Sequence, residues 1–366
     1  MTQKKGNFFI FVGVLLLLHL LLIALTACVG ITSENKPDVT KLEIEALETS
    51  YQTGTSNQGT IVFSATSKSS APNYELFMVN PNGVLFSKLH DSYYGPIALD
   101  LSGRLMAVQC NYNSDSLCVL DLERSFNYLT FPYPTPSSNL DPVIRKIELP
   151  KSCRWTDQNP RYVKSIAWTR HQSLILVCSD LQDGNNAEVW IISPDGNQSI
   201  WDEQQSKDVV RILPSPVEDI FLVNSEYVNY ISDQQGNRIK NLPDGRFPSW
   251  SPDGTKIAYF MIKDSPRNGL VIYDIENEEE HWIYIQPKEN LGPEAFICGI
   301  CCSNDKGKIS WSPDGNKLVF SATHMGSSNA ALFLIDINTE DITYLIPSLE
   351  LLDQLGSPVW SQIDYR

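Results

Sequence analysis

The sequence predicts an all-β fold built from a repeated four-stranded unit, and three observations lead to this prediction. The 366-residue chain has no sustained helical spacing after residue 30, and Gly, Pro, Asn and Asp separate its short apolar runs. A motif containing Trp-Ser-Pro-Asp-Gly occurs twice. The last strand-like segment, SPVWS at 357–361, begins a repeat that the chain does not complete.

The two clear copies of the repeat are PSWSPDGTKIAYF from Pro248 and ISWSPDGNKLVFSA from Ile309. Each copy predicts a strand that ends in Trp, then a tight turn, then a second strand. Proline sets φ at the second turn position, and Gly254 takes the left-handed conformation that closes the hairpin. Pro313 and Gly315 repeat this arrangement.

Weaker copies begin with IALDLSGRLMAVQC, IAWTRHQSLILVCS and RILPSPVEDIFLVN, and a third strand follows each second strand. The predicted fourth strands are FNYLTF, NQSIWD, NRIKNL, HWIYI and ITYLI. A sixth unit at the start lacks its first strand, which SPVWS with Trp360 would supply. Closing the ring in this way would cover unpaired backbone and apolar faces. The predicted fold is therefore a six-bladed β-propeller with four antiparallel strands per blade, in which the C-terminal strand joins the N-terminal blade.

The W-S-P-D-G turns and the six units resemble the TolB-type, WD-like β-propeller repeat. The resemblance covers roughly residues 59–362 and is strong in two units and weak in four. It implies the propeller architecture. TolB carries a separate α/β domain before its propeller, whereas only about 30 residues separate Cys28 from the first strand here. A TolB role in its envelope complex is therefore not carried over.

The N-terminal segment has the pattern of a secretory signal. Lys4 and Lys5 precede an apolar run, which ends in LTAC at Cys28. This pattern resembles the lipobox of bacterial lipoproteins, which implies that Cys28 is lipidated and becomes the first residue after cleavage. The alternative is an uncleaved anchor, because about 20 apolar residues can span a bilayer. The predicted organisation is a signal peptide at 1–27, a lipidated Cys and flexible tether at 28–58, and the propeller at 59–366 with insertions at 131–163 and 287–307.

The formal net charge of −15 argues against nucleic acid as a partner, because phosphates would be repelled. The expected location is extracytoplasmic, with attachment to a membrane through Cys28, at the cell surface or in the periplasm. Such a compartment permits disulfides. Cys110 and Cys118 end and begin adjacent predicted strands, so a bridge between them is predicted. CGICC at 298–302 is compatible with redox or zinc chemistry, with a loop staple or with thiols; no second Cys or His pair lies nearby, and no metal site is predicted.

The insertions and the loops between second and third strands would emerge on one face of a propeller, which we predict to be the working surface. Trp155, Tyr133 and Tyr162 would form an aromatic contact for protein or sugar there, or would pack the insertion onto the propeller. His324 is the one histidine in a predicted working-face loop. The opposite face, with the Ser-Pro-Asp-Gly turns, is predicted to be structural.

The remaining candidates have a structural interpretation. Asp253 and Asp314 belong to the repeated turn. Trp168, Trp250, Trp311 and Trp360 occupy equivalent strand ends and are predicted to lie in the core. G-x-S-x-G, H-E-x-x-H and a Gly-rich phosphate loop are absent from the sequence, and neither a catalytic residue nor a cofactor is predicted.

The predicted function is a lipid-anchored module that binds a protein, peptide or glycan through the loop face. The alternative is a cell-surface polysaccharide hydrolase or lyase with a site at the central channel. Three or more His, Glu or Asp side chains converging on the channel mouth would favour the enzyme.

Overall fold

Twenty-four β-strands make up nearly all of the regular structure in the described residues. The structure is a computed structural model that describes residues 59–67, 74–82, 86–110, 114–122, 124, 143–154, 161–180, 187–201, 208–225, 228–262, 268–284, 309–323, 330–346, 352–355 and 358–361.

The strands group in chain order into six antiparallel sheets, which we call blades 1 to 6. Blade 1 contains β1 (Thr60–Ser67), β2 (Tyr74–Val79) and the first half of β3 (Phe86–Leu99), together with the C-terminal β23 (Leu352–Leu355) and β24 (Val359–Ser361). Blade 2 contains the second half of β3, β4 (Leu105–Gln109), β5 (Ser116–Asp121) and β6 (Val143–Glu148). Blade 3 contains β7 (Arg161–Trp168), β8 (Leu174–Asp180), β9 (Glu188–Ile192) and β10 (Gln198–Ile200).

Three further blades follow the same order. Blade 4 contains β11 (Val209–Pro214), β12 (Ile220–Ser225), β13 (Asn229–Asp233) and β14 (Arg238–Leu242). Blade 5 contains β15 (Arg246–Trp250), β16 (Lys256–Ile262), β17 (Asn268–Asp274) and β18 (Glu279–Tyr284). Blade 6 contains β19 (Ile309–Trp311), β20 (Lys317–Thr323), β21 (Ala330–Asp336) and β22 (Ile342–Ile346).

The repeated turn forms as its sequence predicts. In blade 5 the N–H of Gly254 donates to the carbonyl of Ser251 at 2.9 Å, and the N–H of Ser251 donates to the carbonyl of Lys256 at 2.9 Å. Gly254 has a φ of +70°, a left-handed conformation that glycine adopts without steric cost. A short proline-containing turn therefore connects the first and second strands at a fixed spacing.

The six blades close into a ring, which confirms the predicted architecture. The last strand pairs with the first, and Trp360 lies opposite Ile61 in the antiparallel register. Six apolar clusters fill the interfaces between successive blades. The cluster between blades 6 and 1 brings Phe63 and Phe77 against Val319 and Leu332, so the end of the chain is packed in the same way as its middle.

Three details differ from the sequence-based description. The fourth strand of blade 2 is β6, which pairs with β5 in place of FNYLTF. Part of the interval 131–163 is therefore a blade strand, and FNYLTF itself, at 126–131, lies outside the described residues. The fourth strand of blade 1 and the first strand of blade 2 are one continuous strand, β3. Finally, β23 lengthens the closing strand beyond SPVWS by pairing with β1 at Ala65–Ser67.

Candidate binding surface

The antiparallel order gives the ring two different faces. First strands end, and second strands begin, at the face that carries the Ser-Pro-Asp-Gly turns, which we call the turn face. Second strands end, and first strands begin, at the opposite face, which we call the loop face. The connections that the sequence analysis identified as the working surface leave from the loop face.

Most of the candidate contacts on the loop face lie outside the described residues. These are Tyr133, Trp155 and His324, together with the CGICC segment. Tyr162 is described: it is half-buried near the loop-face end of β7 and lies opposite Ser179 of β8. The structure thus places one of the four candidate contacts at the loop-face edge of blade 3.

A strap formed by residues 149–154 links the outer strand of blade 2 to blade 3 close to Tyr162. Leu149 and Cys153 are buried in the cluster between these blades, and Lys151–Cys153 form a 3-10 turn. A disulfide joins Cys153 to Cys178 of β8, with 5.3 Å between their Cα atoms. The strap therefore enters the loop face in a fixed position.

An ion pair lies beside the strap. The guanidinium of Arg161 contacts Glu188 at 2.7 Å, and its Nη1 also donates to the carbonyl of Ser152 at 3.3 Å. The indole N–H of Trp190 donates to the second Glu188 oxygen at 3.2 Å. Partial burial raises the pKa of Glu188, but the hydrogen bonds from the Trp190 N–H and Arg161, with the positive charge of Arg161, hold it below its ordinary value. The pair is therefore charged at neutral pH and connects β7, β9 and the strap.

A second disulfide joins Cys110 and Cys118 across β4 and β5, with 5.0 Å between their Cα atoms. It spans the connection that leaves blade 2 on the loop face. This bridge confirms the prediction from sequence, which rests on Cys110 and Cys118 ending and beginning adjacent strands of a hairpin. The pairing of Cys153 with Cys178 was not predicted: Cys153 lies in the insertion at 131–163 and Cys178 in β8, and no predicted hairpin joins them.

The turn-face carboxylates are occupied within their own turns. Ser251 Oγ donates to Asp253 at 2.6 Å, and the N–H of Thr255 donates to the same oxygen at 3.1 Å. Asp314 accepts from Ser312 and from the N–H of Asn316 in the same way. Within the described residues, no group of three or more His, Cys, Asp or Glu side chains could hold a metal ion.

The four repeat tryptophans are buried at blade interfaces. The Nε1–H groups of Trp168, Trp250 and Trp311 donate to main-chain carbonyls of the preceding blade's first strand, over distances of 2.9–3.1 Å. For Trp360 the backbone N–H bonds to Ser310 Oγ at 3.0 Å. Each bond fixes the register between the first strands of two neighbouring blades. The acceptor lies at the position equivalent to the donor Trp, or one residue before it.

The first strands contain an irregularity that the repeat pattern does not predict. In blades 2 to 5 the register between the first and second strands shifts three to four residues before the motif Trp or its Leu replacement. These shifts are β-bulges, which redirect side chains and are frequent beside binding sites. Pro96 and Pro248 mark two of them, because proline inside a strand is typical of a bulge.

Comparison with known proteins agrees with this architecture. No family model matches the sequence. TolB from Acinetobacter baumannii superposes with a TM-score of 0.57 at 15% identity, over 83% of this chain and 66% of that one. The fold is that of a TolB-type β-propeller. A TolB candidate from Agrobacterium tumefaciens gives a TM-score of 0.50 at 11% identity, over 81% of this chain and 91% of that one.

In sequence, the Tol-Pal system protein TolB of Alcanivorax borkumensis is 30% identical over 99 residues, which are 26% of this chain. The match spans 19% of that relative's length, and the chain covers slightly less than two thirds of the Acinetobacter TolB. The similarity therefore establishes the fold of the propeller. No helix within the described segments combines the length and apolar character needed to cross a membrane.

Proposed function

We propose that this protein is an extracytoplasmic binding module, held at a membrane by lipid on Cys28, which recognises its ligand through the loop face of the propeller. The ligand is a protein, peptide or glycan. The similarity to TolB propellers, one of which is named as a component of the Tol-Pal system, favours a protein. We do not advance the hydrolase or lyase alternative, because no specific observation in the described part of the chain favours it.

The observation that carries this proposal is the point at which the chain enters the propeller. Gly59 precedes β1 at the turn face and lies against Ser361 at the end of β24. Its φ is +72°, and a Cβ atom at this position would overlap the carbonyl oxygen of Ser361. A tether that begins at Cys28 would thus join the propeller at the turn face. The loop face lies at the other end of every strand, away from Gly59.

The rigidity of blade 3 supports the same assignment. The Cys153–Cys178 disulfide and the Arg161–Glu188 pair fix the strap beside Tyr162. A surface that is ordered before the ligand arrives loses less conformational entropy on binding.

Site-specific photocrosslinking in intact cells tests the proposal. A benzophenone amino acid replaces Tyr162 in one variant, and replaces Lys256, an exposed turn-face residue, in a matched control. We expect a discrete adduct from position 162 that is absent at position 256. An adduct from position 256 alone would place the ligand on the turn face and refute the assignment.

Fractionation of the Cys28→Ala variant tests the anchor separately. The variant should leave the membrane fraction and appear in the extracytoplasmic soluble fraction. Retention in the membrane after a high-salt wash would point to a spanning segment and contradict lipid attachment.

A further inference from the structure

One tripeptide of the chain has the sequence of an acceptor for N-linked glycans. The rule for such an acceptor is Asn-x-Ser or Asn-x-Thr, where x is any residue except proline. Asn197, Gln198 and Ser199 form the one tripeptide of the 366-residue sequence that meets this rule. A transferase can use the motif only where the asparagine lies at the surface of an exported protein, so the structure around Asn197 is the first test.

Asn197 closes the hairpin between β9 and β10, on the outer part of the turn face. The N–H of Ser193 donates to the carbonyl of Asn197 at 2.9 Å, and Gly196 completes the turn with a φ of +93°. Asn197, Gln198 and Ser199 are all exposed. The hairpin therefore presents the whole acceptor tripeptide to solvent.

The amide nitrogen of Asn197 is held at this surface by its own turn. Asn197 Nδ2 donates to a carboxylate oxygen of Asp195, and Ser193 Oγ donates to the other oxygen of the same carboxylate. An asparagine amide carries two hydrogens, so this bond leaves the second hydrogen for another acceptor. The side chain is thus oriented at the surface without being buried.

The strand that follows Asn197 is an outer sheet edge without charged side chains. β10 contains three residues, all of them exposed and none of them charged. The outer strands of blades 2, 4 and 5 do carry charged residues, which are Arg145, Lys146, Glu148, Arg238, Lys240, Glu279 and Glu280. Charged side chains on an edge strand hinder its pairing with another chain. A hydrophilic glycan on Asn197 would protect β10 in a comparable way.

We propose that Asn197 is a site of N-linked glycosylation. The donor is a sugar carried on a membrane-bound polyprenyl diphosphate. Asn197 Nδ2 forms a bond to the anomeric carbon, the bond from that carbon to the diphosphate oxygen breaks, and the amide loses one proton, so polyprenyl diphosphate is the leaving group. This inference rests on the proposed function, because it requires export of the chain. The glycan would project from the turn face, opposite the proposed ligand surface.

Blade 4 provides a matched control within the same molecule. Asn237 closes the equivalent hairpin: the N–H of Asp233 donates to its carbonyl at 3.0 Å, and Gly236 has a φ of +88°. Asn237 is exposed as Asn197 is, but Ile239 stands where blade 3 has Ser199. The blade 4 hairpin therefore shares the geometry and lacks the hydroxyl residue of the motif. Ile239 is 59% exposed, so serine can replace it without loss of core packing.

Mass spectrometry of the full-length protein, purified from the membranes of its native cells, tests the site. The parent protein should carry a mass increase made of whole sugar residues, and peptide sequencing should place it on Asn197. Asn197→Gln and Ser199→Ala should each abolish the increase, whereas Ser199→Thr should keep it, because threonine meets the same rule. Asn237→Gln is the matched control and should leave the increase unchanged. Ile239→Ser should add a second increase at Asn237.

The outcomes separate this inference from the proposed function. An unmodified Asn197 in protein whose Cys153–Cys178 bridge has formed would overturn the glycan site and leave export and the loop-face assignment in place. An unmodified Asn197 together with free thiols at Cys153 and Cys178 would contradict export as well, because an oxidising compartment forms such bridges. A sugar increase that persisted in Asn197→Gln would also overturn the site, because the sugar would then be attached elsewhere.

Discussion

At the scale of single residues, the tryptophan at the end of the first strand in blades 3, 5 and 6 combines burial with one directed hydrogen bond from its indole N–H. Blades 2 and 4 have Leu99 and Leu213 at this position, and leucine has no N–H to donate. Other side chains then connect the blades. Arg170 of blade 3 donates to the carbonyl of Val217 at 2.8 Å and pairs with Asp219, both in blade 4. The interface between blades 3 and 4 thus has directed polar contacts. These contacts fix the relative orientation of the two blades, which apolar contacts alone do not.

The aspartate of the repeated turn acts through the same kind of local bond. Partial burial raises the pKa of Asp253, but donation from Ser251 and from the N–H and hydroxyl of Thr255 brings it below its ordinary value. The folded state therefore favours the ionised carboxylate more than the unfolded chain does. The resulting stabilisation is present above the unfolded pKa of about 3.9 and is lost as pH falls through the lower, folded pKa.

Asp253→Asn should reveal this dependence. We expect the variant to lose about 0.5–1 kcal/mol of unfolding free energy at pH 6, because the hydrogen bonds weaken at a largely exposed site. The difference from the parent protein should shrink at pH 3. Urea unfolding at both pH values measures it, with Asp208→Asn as the control for removing an exposed charge. A difference that grew at pH 3 would contradict the role of the ionised carboxylate.

These residues also explain why part of the molecule could be predicted from sequence. Trp250, Pro252 and Gly254 specify a strand end and a turn by local chemistry, so the repeat can be recognised without any long-range contact. The bulge at Phe247 depends on contacts with Arg211 in another blade, and no local pattern reports them. Pro248 was the only local signal of that irregularity.

At the scale of elements, the repeat pattern does not predict β6 or the strap at 149–154 that follows it. The outer strand of blade 2 alternates half-buried or buried residues with exposed ones and ends beside the buried Leu149. FNYLTF lies closer in sequence to the third strand than VIRKIE does, and this spacing favours FNYLTF as the predicted fourth strand. Only the pairing with β5 identifies β6 as the fourth strand. The strap that follows is then held by a disulfide and an ion pair that no repeat contains.

The two disulfides should differ in what they stabilise. Replacing Cys153 and Cys178 with Ala should lower the unfolding free energy by about 3 kcal/mol, because the bridge closes a loop of 25 residues. It should also speed amide exchange across the strap. The double Ala variant at Cys110 and Cys118, which are 8 residues apart, is the control and should cost less. Urea unfolding and hydrogen exchange measure both; unchanged strap protection would contradict the anchoring role.

At the scale of the whole molecule, closure joins the two ends of the propeller by three kinds of contact. The backbones of β1 and β24 pair at Ile61 and Trp360, and Ser361 Oγ donates to the carbonyl of Gly103 in blade 2 at 2.8 Å. The apolar cluster between blades 6 and 1 adds the third contact. Each blade packs against two neighbours only, so without closure blades 1 and 6 would each expose one apolar face.

Removal of residues 352–366 should therefore unfold more than one blade. We expect the truncated protein to lose its single cooperative thermal transition, because an opened ring leaves buried positions such as Phe63 and Val319 exposed to water. Truncation at residue 361 keeps both β23 and β24 and is the matched control, which should melt like the parent. Adding a peptide of residues 352–366 in trans should restore the transition in part. Calorimetry and hydrogen exchange measure the result: if exchange increased in blade 1 alone while blades 2 to 6 stayed protected, ring closure would not be what stabilises the whole propeller.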